Sequence, residues 1–198
     1  MMNVYDFDKT IYDGDSTVDF YWYCLLKHPK IVLCLWEQIL GFFLYSRHRI
    51  DTTAMKERFF SFLSKLDDVD KLVISFWACK QNKIKSWYLQ RKKETDIIIS
   101  ASPAFLLEPI CKELGISEPI ATRVNRYNGK IQGKNCKGEE KKRRFCERYA
   151  DVLIEQFYSD SKTDQPLADM AKEAFLVDGD KLYIWSKEGE KYGALKNT

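Results

Sequence analysis

The sequence has few of the residues that build zinc sites. It contains only two histidines among 198 residues, and its six cysteines include no Cys-x-x-Cys pair. Structural zinc is usually held by closely spaced cysteines and histidines, so we do not expect a zinc centre. Most of the cysteines lie among apolar neighbours and resemble small core residues rather than a disulfide framework. This pattern favours a reducing, cytoplasmic location.

Long apolar runs are also missing. The most hydrophobic stretch covers residues 31–45, is interrupted by Glu37 and Gln38, and is shorter than the ~20 residues of a membrane-spanning helix. We therefore expect no transmembrane helix. We expect the stretch to pack against other helices, with an interfacial amphipathic helix as the alternative. A signal peptide is not expected, because a polar motif begins at position 6.

Neither sign of charge is in large excess. The net charge is +3 and the basic residues cluster only locally, which argues against a dedicated nucleic-acid binder. We interpret most of the basic run at residues 141–144 as a solvated helix face. The sequence has no internal repeat or low-complexity segment. Its length suits one core, or one core with a small inserted module.

What the sequence does contain is a group of polar residues directly after its first apolar run. Residues 2–5 are followed by Asp6-Phe7-Asp8-Lys9-Thr10. If the run is a strand, Asp6 and Asp8 project to one side and Phe7 to the other. Two carboxylates that share one space favour a cation between them or a proton on one of them, and both outcomes are useful in catalysis. An ordinary acidic strand end is the alternative.

The next part of the chain has a helical pattern. From Ser16 to about Lys93 the apolar residues recur at helical spacing, with breaks near His28, Asp51 and Asp67. This spacing predicts three or four helices and no strand. Ser16 and Asp19 have the spacing of a capping box and predict where the first helix begins.

Strand and helix patterns alternate after residue 94. The β-branched run at 95–100 predicts a strand buried on both faces, and Ser102-Pro103 predicts the cap and first turn of a helix that ends near Gly115. Asn128-Gly129 predicts the turn of a two-stranded arm within residues 120–132. The remaining predicted elements are helices at 138–150 and 166–172 and strands at 155–159, 174–177 and 182–185.

The alternation predicts the fold class. It is an α/β fold with a doubly wound parallel, Rossmann-like sheet as its core and an inserted all-helical cap. We assign residues 1–14 and 88–198 to the core and residues 15–87 to the cap. In open parallel sheets, ligands bind beyond the carboxyl ends of the strands. A single site is therefore expected where three predicted strands end, at Asp6, Ser100 and Asp160.

Each of these strand ends suits a phosphate and a hard cation. Ser100 can hydrogen-bond a phosphate oxygen, although a turn-forming role is equally expected for it. Asp160 and Asp164 are oxygen ligands of the kind that magnesium prefers, with an N-cap role as the alternative for Asp164. Lys141 shares a helical stripe with apolar residues and is the first choice for a fixed positive charge in the site, and Lys137 is the second.

Together these residues resemble the four motifs of the haloacid dehalogenase superfamily: Asp6-Phe7-Asp8-Lys9-Thr10, Ser100, Lys141, and Asp160 with Asp164. The helical insert resembles the cap of the phosphoserine phosphatase-like branch. The resemblance implies a magnesium-dependent phosphomonoester hydrolase in which Asp6 forms an aspartyl-phosphate and Asp8 acts first as acid and then as base. It also implies that Mg²⁺ contacts Asp6, the main-chain carbonyl of Asp8 and Asp160, with Asp164 orienting the metal shell. Thr10, Ser100 and Lys141 would hold the phosphoryl oxygens.

The resemblance is less specific about the substrate. Asp15 matches an acidic position that contacts the substrate amine in phosphoserine phosphatases, and Arg58, or alternatively Arg47 or Arg49, would contact a carboxylate. Serines flank Asp160 where that branch usually has glycine. We expect a small phosphorylated metabolite. A larger or lipid-derived phosphate ester is an alternative if the aromatic residues of the cap line the pocket, and a catalytically silent binding protein is another.

Overall fold

The computed structural model describes residues 2–150 and 152–186, and in this part of the chain six strands form one sheet. The spatial order of the strands is β3-β2-β1-β4-β5-β6, in which the first five are parallel and β6 is antiparallel to β5. This order is that of a doubly wound fold with its switch point between β1 and β4, so the predicted fold class is confirmed. The strands are β1 Met2–Tyr5, β2 Ile97–Pro103, β3 Ile120–Thr122, β4 Ile154–Ser159, β5 Ala171–Asp178 and β6 Lys181–Ile184.

The long segment between β1 and β2 is helical, as predicted, but it contains five α-helices rather than three or four. Short 3-10 turns at Pro29–Cys34, Phe60–Lys65 and Gln81–Lys83 divide the helical pattern more finely than its apolar periodicity indicates. Three further helices follow the strands of the core. The helices are α1 Ser16–Lys27, α2 Leu35–Ser46, α3 Thr52–Phe59, α4 Val69–Lys80, α5 Ser86–Arg91, α6 Ala104–Glu113, α7 Glu139–Arg148 and α8 Gln165–Ala168.

Both faces of the sheet are covered by apolar side chains. Ile97 and Ile99 of β2 lie in one core cluster with Phe145 of α7, and Ile98 lies in the other cluster with Leu106 of α6. Adjacent strand residues point to opposite faces, so a strand that is buried on both faces is apolar throughout. The predicted burial of this strand is therefore correct.

The two ends of the helical insert lie side by side. The backbone N–H of Lys85 donates to the carbonyl of Ile11 at 2.8 Å, and Tyr12 forms an antiparallel bridge with Ile84. The division into a core and a cap at residues 15–87 stays a prediction, and its second boundary falls within α5. The N-cap of α1 is Asp15 rather than Ser16, because the Asp15 carboxylate accepts from the third N–H of the helix.

The predicted two-stranded arm at residues 120–132 is present only over residues 123–132. There Val124 and Ile131 form an antiparallel bridge, flanked by main-chain hydrogen bonds from Asn125 to Lys130 and from Gln132 to Arg123, whereas residues 120–122 are β3 and pair with β2 in the main sheet. Gly129 has a φ of +73°, and a Cβ there would lie 2.3 Å from the carbonyl oxygen of Phe60. The tip of this loop therefore packs directly against the helical insert, and glycine is required by both the backbone conformation and the contact.

The apolar stretch at 31–45 is only partly buried, contrary to our expectation. Helix α2 turns Gln38 and Gly41 inward and leaves Trp36, Ile39 and Phe43 exposed. None of the helices in residues 2–150 and 152–186 combines the length and the apolarity needed to cross a bilayer. The last predicted strand, at 182–185, is β6, and residues 187–198 of the predicted core lie outside the described residues.

The fold predicts different costs for the same substitution in two strands. Ile98 of the central strand β2 is fully buried, whereas Ile184 of the edge strand β6 is 54% exposed. We expect Ile98→Ala to lower the free energy of unfolding by ~3 kcal/mol and Ile184→Ala to lower it by less than ~1 kcal/mol. Urea denaturation of both variants measures the difference, and equal costs would contradict the buried placement of β2.

Candidate active site

A cleft of about 470 Å³ lies at the carboxyl edge of the sheet, between the strand ends and the helical insert. The loops after β1, β2 and β4 and the first turn of α7 form its floor, and residues of α1, α2 and α3 form its wall. The structure thus brings together most of the predicted site residues, which come from four separate parts of the chain. The predicted residues that line the cleft are Asp6, Asp8, Asp15, Ser100, Lys137, Lys141, Asp160 and Asp164.

Asp6 and Asp164 share one buried lysine. The Nζ atom of Lys141 lies 2.9 Å from Oδ1 of Asp6 and 2.6 Å from Oδ2 of Asp164. Burial alone would lower the pKa of Lys141, but the two carboxylates outweigh it and raise this pKa above its ordinary value. Burial raises the pKa of Asp6, against the opposing effect of the ammonium group. The position of Lys141 in the first turn of α7, on the same side as Phe145, is what directs it inward.

Asp8 lies in the same cleft but has different partners. Asp6 and Asp8 both line the cleft and Phe7 is buried in the core, as the alternation predicts, although the assigned strand ends at Tyr5 and Lys9 has a φ of 57°. The backbone N–H of Ser16 donates to Oδ1 of Asp8 at 2.6 Å, and the hydroxyl of Ser102 donates to Oδ2. Burial, followed by the Asp15 carboxylate, raises the pKa of Asp8, which favours a protonated carboxyl group at this position.

Ser102 is a site residue that the sequence reasoning missed. We predicted it as the N-cap of α6, but the helix begins at Ala104 after Pro103, with no side-chain cap. Its hydroxyl lies 2.8 Å from that of Thr17 in α1 and contacts Asp8, so it joins the core to the helical insert at the cleft. The sequence feature that could have identified Ser102 as a site residue is its position two residues after Ser100.

Thr10 occupies a different place from the one that the family resemblance implies. It is completely buried, does not line the cleft, and accepts a hydrogen bond at 3.0 Å from the backbone N–H of Asp160. It therefore ties the loop after β1 to the loop after β4. Burial raises the pKa of Asp160, and the nearby Lys9 and Lys141 oppose the rise.

Ser100 is a buried residue of β2 that also lines the cleft. Its oxygen accepts from the N–H of Ser102 at 3.1 Å, so its hydroxyl hydrogen can be donated to a ligand. The turn-forming and ligand-binding roles that we considered for this serine are therefore compatible.

The donor set at the floor of the cleft fits magnesium. Asp6, Asp160 and Asp164 line one end of it, and Oδ1 of Asp164 is buried without a hydrogen-bond partner. Within residues 2–150 and 152–186, no three carboxylate, thiol or imidazole groups converge into a complete metal site of their own. Mg²⁺ usually takes one or two carboxylates and completes its shell with water and substrate phosphate, so a partial set of oxygen donors is what it requires.

The wall of the cleft places a lysine where we had predicted an arginine. Lys56 of α3 lines the cleft and donates to the carbonyl of Ala101 at 2.8 Å and to Oδ1 of Asn135 at 3.0 Å. Arg58 does not line it, because its side chain packs against Gly41 of α2. Two residues rotate a helix by about 200°, so Lys56 and Arg58 point to nearly opposite sides of α3.

Of the other basic candidates, Lys137 lines the cleft and the two arginines do not. Arg47 and Arg49 are exposed beyond the end of α2 and do not line the cleft, and Arg47 lies over the ring of Phe43. Lys137 lines the cleft but is exposed, unlike Lys141. The basic run that contains Lys141 continues with Arg143, which is exposed as expected of a solvated helix face, and with Arg144, which is instead largely buried and donates to the carbonyls of Ala121 and Lys134.

The strand order, the cleft at the switch point and the helical insert above it define a capped Rossmann-like protein. The chain belongs to the haloacid dehalogenase-like hydrolase family, whose model matches residues 4–169, and the resemblance noted in the sequence is thereby confirmed. Comparison with curated proteins gives no match.

Solved structures show the same fold at low sequence identity. A protein with unknown function from Bordetella pertussis Tohama I is 20% identical, with a TM-score of 0.70 and 87% of each chain covered. A phosphoserine phosphohydrolase-like protein from Francisella tularensis subsp. tularensis SCHU S4 is 17% identical, with a TM-score of 0.56, and the match covers 88% of this chain and 86% of that one. A probable phosphoserine phosphatase from Vibrio cholerae is 10% identical, with a TM-score of 0.57, and the match covers 88% of this chain and 55% of that one.

The surroundings of Lys56 predict a pH-dependent stability. Burial lowers the pKa of Lys56 to about 8 from its ordinary value of 10.5, with partial compensation by the Asp8 carboxylate. Between pH 8 and 10.5 the unfolded chain therefore keeps a proton that native Lys56 has released. Over this range we expect the free energy of unfolding of the unmodified protein to rise with pH relative to that of Lys56→Met. The contributions of the other ionisable groups are common to both proteins and cancel in the difference. Urea denaturation at several pH values measures this difference, and a constant difference would contradict the lowered pKa.

Proposed function

We propose that this protein is a magnesium-dependent phosphomonoester hydrolase that works through an aspartyl-phosphate on Asp6. The observation that carries the proposal is the contrast between two aspartates in one cleft. Burial raises the pKa of both, but Asp6 contacts a buried ammonium group that opposes this effect, whereas Asp8 accepts from a hydroxyl and an N–H and lies near the Asp15 carboxylate, which adds to it. Two carboxyl groups whose environments differ in this way suit a nucleophile and an acid. The names of two structural neighbours, a phosphoserine phosphohydrolase-like protein and a probable phosphoserine phosphatase, support the same reaction class.

In the first step a carboxylate oxygen of Asp6 attacks phosphorus, and the bond between phosphorus and the ester oxygen breaks. Protonated Asp8 gives its proton to the leaving oxygen, which departs as an alcohol. In the second step Asp8 accepts a proton from water, the water oxygen bonds to phosphorus, and the bond to Asp6 breaks. Ser102 and the N–H of Ser16 orient Asp8 for both transfers.

The remaining polar residues hold and position the phosphate. Lys141 and Ser100 are proposed to bind its oxygens, while Thr10 acts as a positioning residue that fixes the loop of Asp160. Asp6, Asp160 and the main-chain carbonyl of Asp8 would hold Mg²⁺, with Asp164 next to this set. Bound there, the cation would offset the repulsion between an anionic nucleophile and an anionic substrate.

The substrate is proposed to be a small-molecule phosphate ester whose leaving group contacts the wall of the cleft. Asp15 and Lys56 supply one charge of each sign there, and Phe42, Phe59 and Phe60 supply apolar surface. The helical insert is proposed to act as a mobile cap that excludes bulk water from the cleft during phosphoryl transfer to Asp6.

The first test is hydrolysis of a generic aryl phosphate. We expect activity with Mg²⁺, loss of activity with a chelator, and a fall of about a thousandfold or more in Asp6→Asn, because the nucleophile is removed. Asp13→Asn is the matched control, since Asp13 belongs to the same loop but lies outside the cleft. Equal rates with magnesium, with chelator and in Asp6→Asn would rule out the proposed mechanism.

The second test compares the two lysines. We expect Lys141→Ala to lower turnover by about a hundredfold or more, because a fixed charge near the phosphoryl group is lost, and Lys137→Ala to lower it far less. Loss of Lys141 also leaves two buried carboxylates without their cation, so circular dichroism must show that the variant is folded. In a folded Lys141→Ala protein, the opposite order of effects would make Lys137 the phosphate ligand.

A further inference from the structure

Helix α2 is inverted relative to an ordinary surface helix. Its polar residue Gln38 is only 5% exposed, and its side chain accepts from the hydroxyl of Tyr21 and donates to the carbonyl of Phe59. Trp36 on the opposite side is 73% exposed. Surface helices normally turn apolar residues inward, so this orientation leaves a large apolar face without a partner in the described part of the chain.

The apolar face extends onto α1 and the 3-10 turn that joins the two helices. On α1 its members recur every four residues and therefore form one stripe. We call the whole set the outer cap face. It consists of Val18, Trp22, Leu26, Val32, Leu33, Leu35, Trp36, Ile39, Phe42 and Phe43, all of them exposed.

The outer cap face is continuous with the candidate active site. Val18 begins the α1 stripe and also lines the cleft, and Phe42 does the same on α2. Tyr21 of α1 and Gln38 of α2 join the two helices through their hydrogen bond. A ligand with its phosphate on Lys141 therefore has an apolar path from the cleft to this face.

The charges around the outer cap face indicate which kind of partner covers it. Residues 16–49, which include the whole face, contain four lysines and arginines and two acidic residues, Glu37 and Asp19, of which Asp19 is paired with Lys83. Lys30 precedes α2 and Arg47 follows it, over the ring of Phe43 at 5.2 Å. In a symmetric dimer built on this face, these cations would face one another, which is unfavourable. Anionic lipid head groups would instead be attracted to them while Trp36 and Ile39 enter the interface.

We propose that the outer cap face docks on an anionic lipid bilayer, and that the cleft takes the phosphate monoester head group of an amphiphile held there. The substrate part of this inference rests on the proposed function, whereas the docking part does not. The docked orientation places the mouth of the cleft at the bilayer surface. The phosphate then reaches Lys141 and Asp6 while the apolar chain of the amphiphile stays beside Phe42.

The test of docking is co-flotation of the whole protein with vesicles of phosphatidylcholine and phosphatidylglycerol. We expect binding that weakens in vesicles of phosphatidylcholine alone and at high salt. Ile39→Ser should weaken it by about tenfold, because a buried aliphatic side chain is lost from the interface. Leu153→Ser is the matched control, since Leu153 is 63% exposed and Ile39 is 59% exposed, but Leu153 lies just before β4, at the end of the sheet away from the cleft.

The test of the substrate class compares two phosphate esters. Ile39→Ser should lower the hydrolysis of phosphatidic acid in these vesicles in parallel with binding, and should leave the hydrolysis of a soluble aryl phosphate unchanged. Hydrolysis of the aryl phosphate together with a preference for phosphoserine over phosphatidic acid would overturn the substrate class. Flotation without hydrolysis of any ester would contradict the proposed function and still support docking.

Two kinds of result would overturn docking itself. One is the absence of flotation, or flotation that Ile39→Ser leaves unchanged. The other is a dimer, measured by light scattering, that Ile39→Ser dissociates in a protein that does not float, because this result would assign the face to a second copy of the chain.

Discussion

The buried contact between Lys141 and the carboxylates of Asp6 and Asp164 determines the rest of the site. An ammonium group with 2% exposure is stable only if carboxylates neutralise it, and buried carboxylates need it equally. The contact therefore fixes the loop after β1, the start of α7 and the turn after β4 relative to one another. These segments are distant in sequence, and the parallel sheet is what brings their ends to one edge.

A second set of hydrogen bonds holds Asp8 beside this ion pair but outside it. Ser102 comes from the end of β2 and the N–H of Ser16 comes from the first turn of α1, so both the core and the helical insert hold the carboxyl group. The two aspartates are separated by one residue and yet differ in charge environment. That difference arises from their partners, an ammonium group for Asp6 and a hydroxyl and an N–H for Asp8.

The local parts of this architecture could be predicted from the sequence because they depend on local patterns. The β-branched run of β2, the polar residues at the strand ends and the inward stripe of Lys141 follow from periodicities of two and 3.6 residues. The resemblance to a known family added the roles of these residues, which periodicity cannot supply. The particular partners of each side chain did not follow from either.

The errors arose where tertiary contacts override local patterns. Ser102 resembled a helix cap, but a carboxylate from another segment binds its hydroxyl. Arg58 was predicted to contact the substrate, but Lys56 lines the cleft instead, because the sequence does not show which side of α3 faces the cleft. Helix α2 was expected to bury its apolar residues. It buries Gln38 instead, because this side chain hydrogen-bonds Tyr21 and a backbone carbonyl inside the helical insert.

The contact at Gly129 has a consequence for how the helical insert can move. The insert is attached to the core by main-chain hydrogen bonds at Ile11 and Lys85, and on its other side it meets the core through Gly129 and through Glu57, which accepts from the N–H of Ile131 at 2.9 Å. The first attachment includes the covalent connections between the insert and the core, so it cannot separate. The second is one of several contacts between the insert and the core, which include the bonds from Lys56 to Ala101 and from Trp77 to the carbonyl of Leu106. Opening the cleft on the side of residues 125–135 would therefore require these contacts to break together with the packing at Gly129.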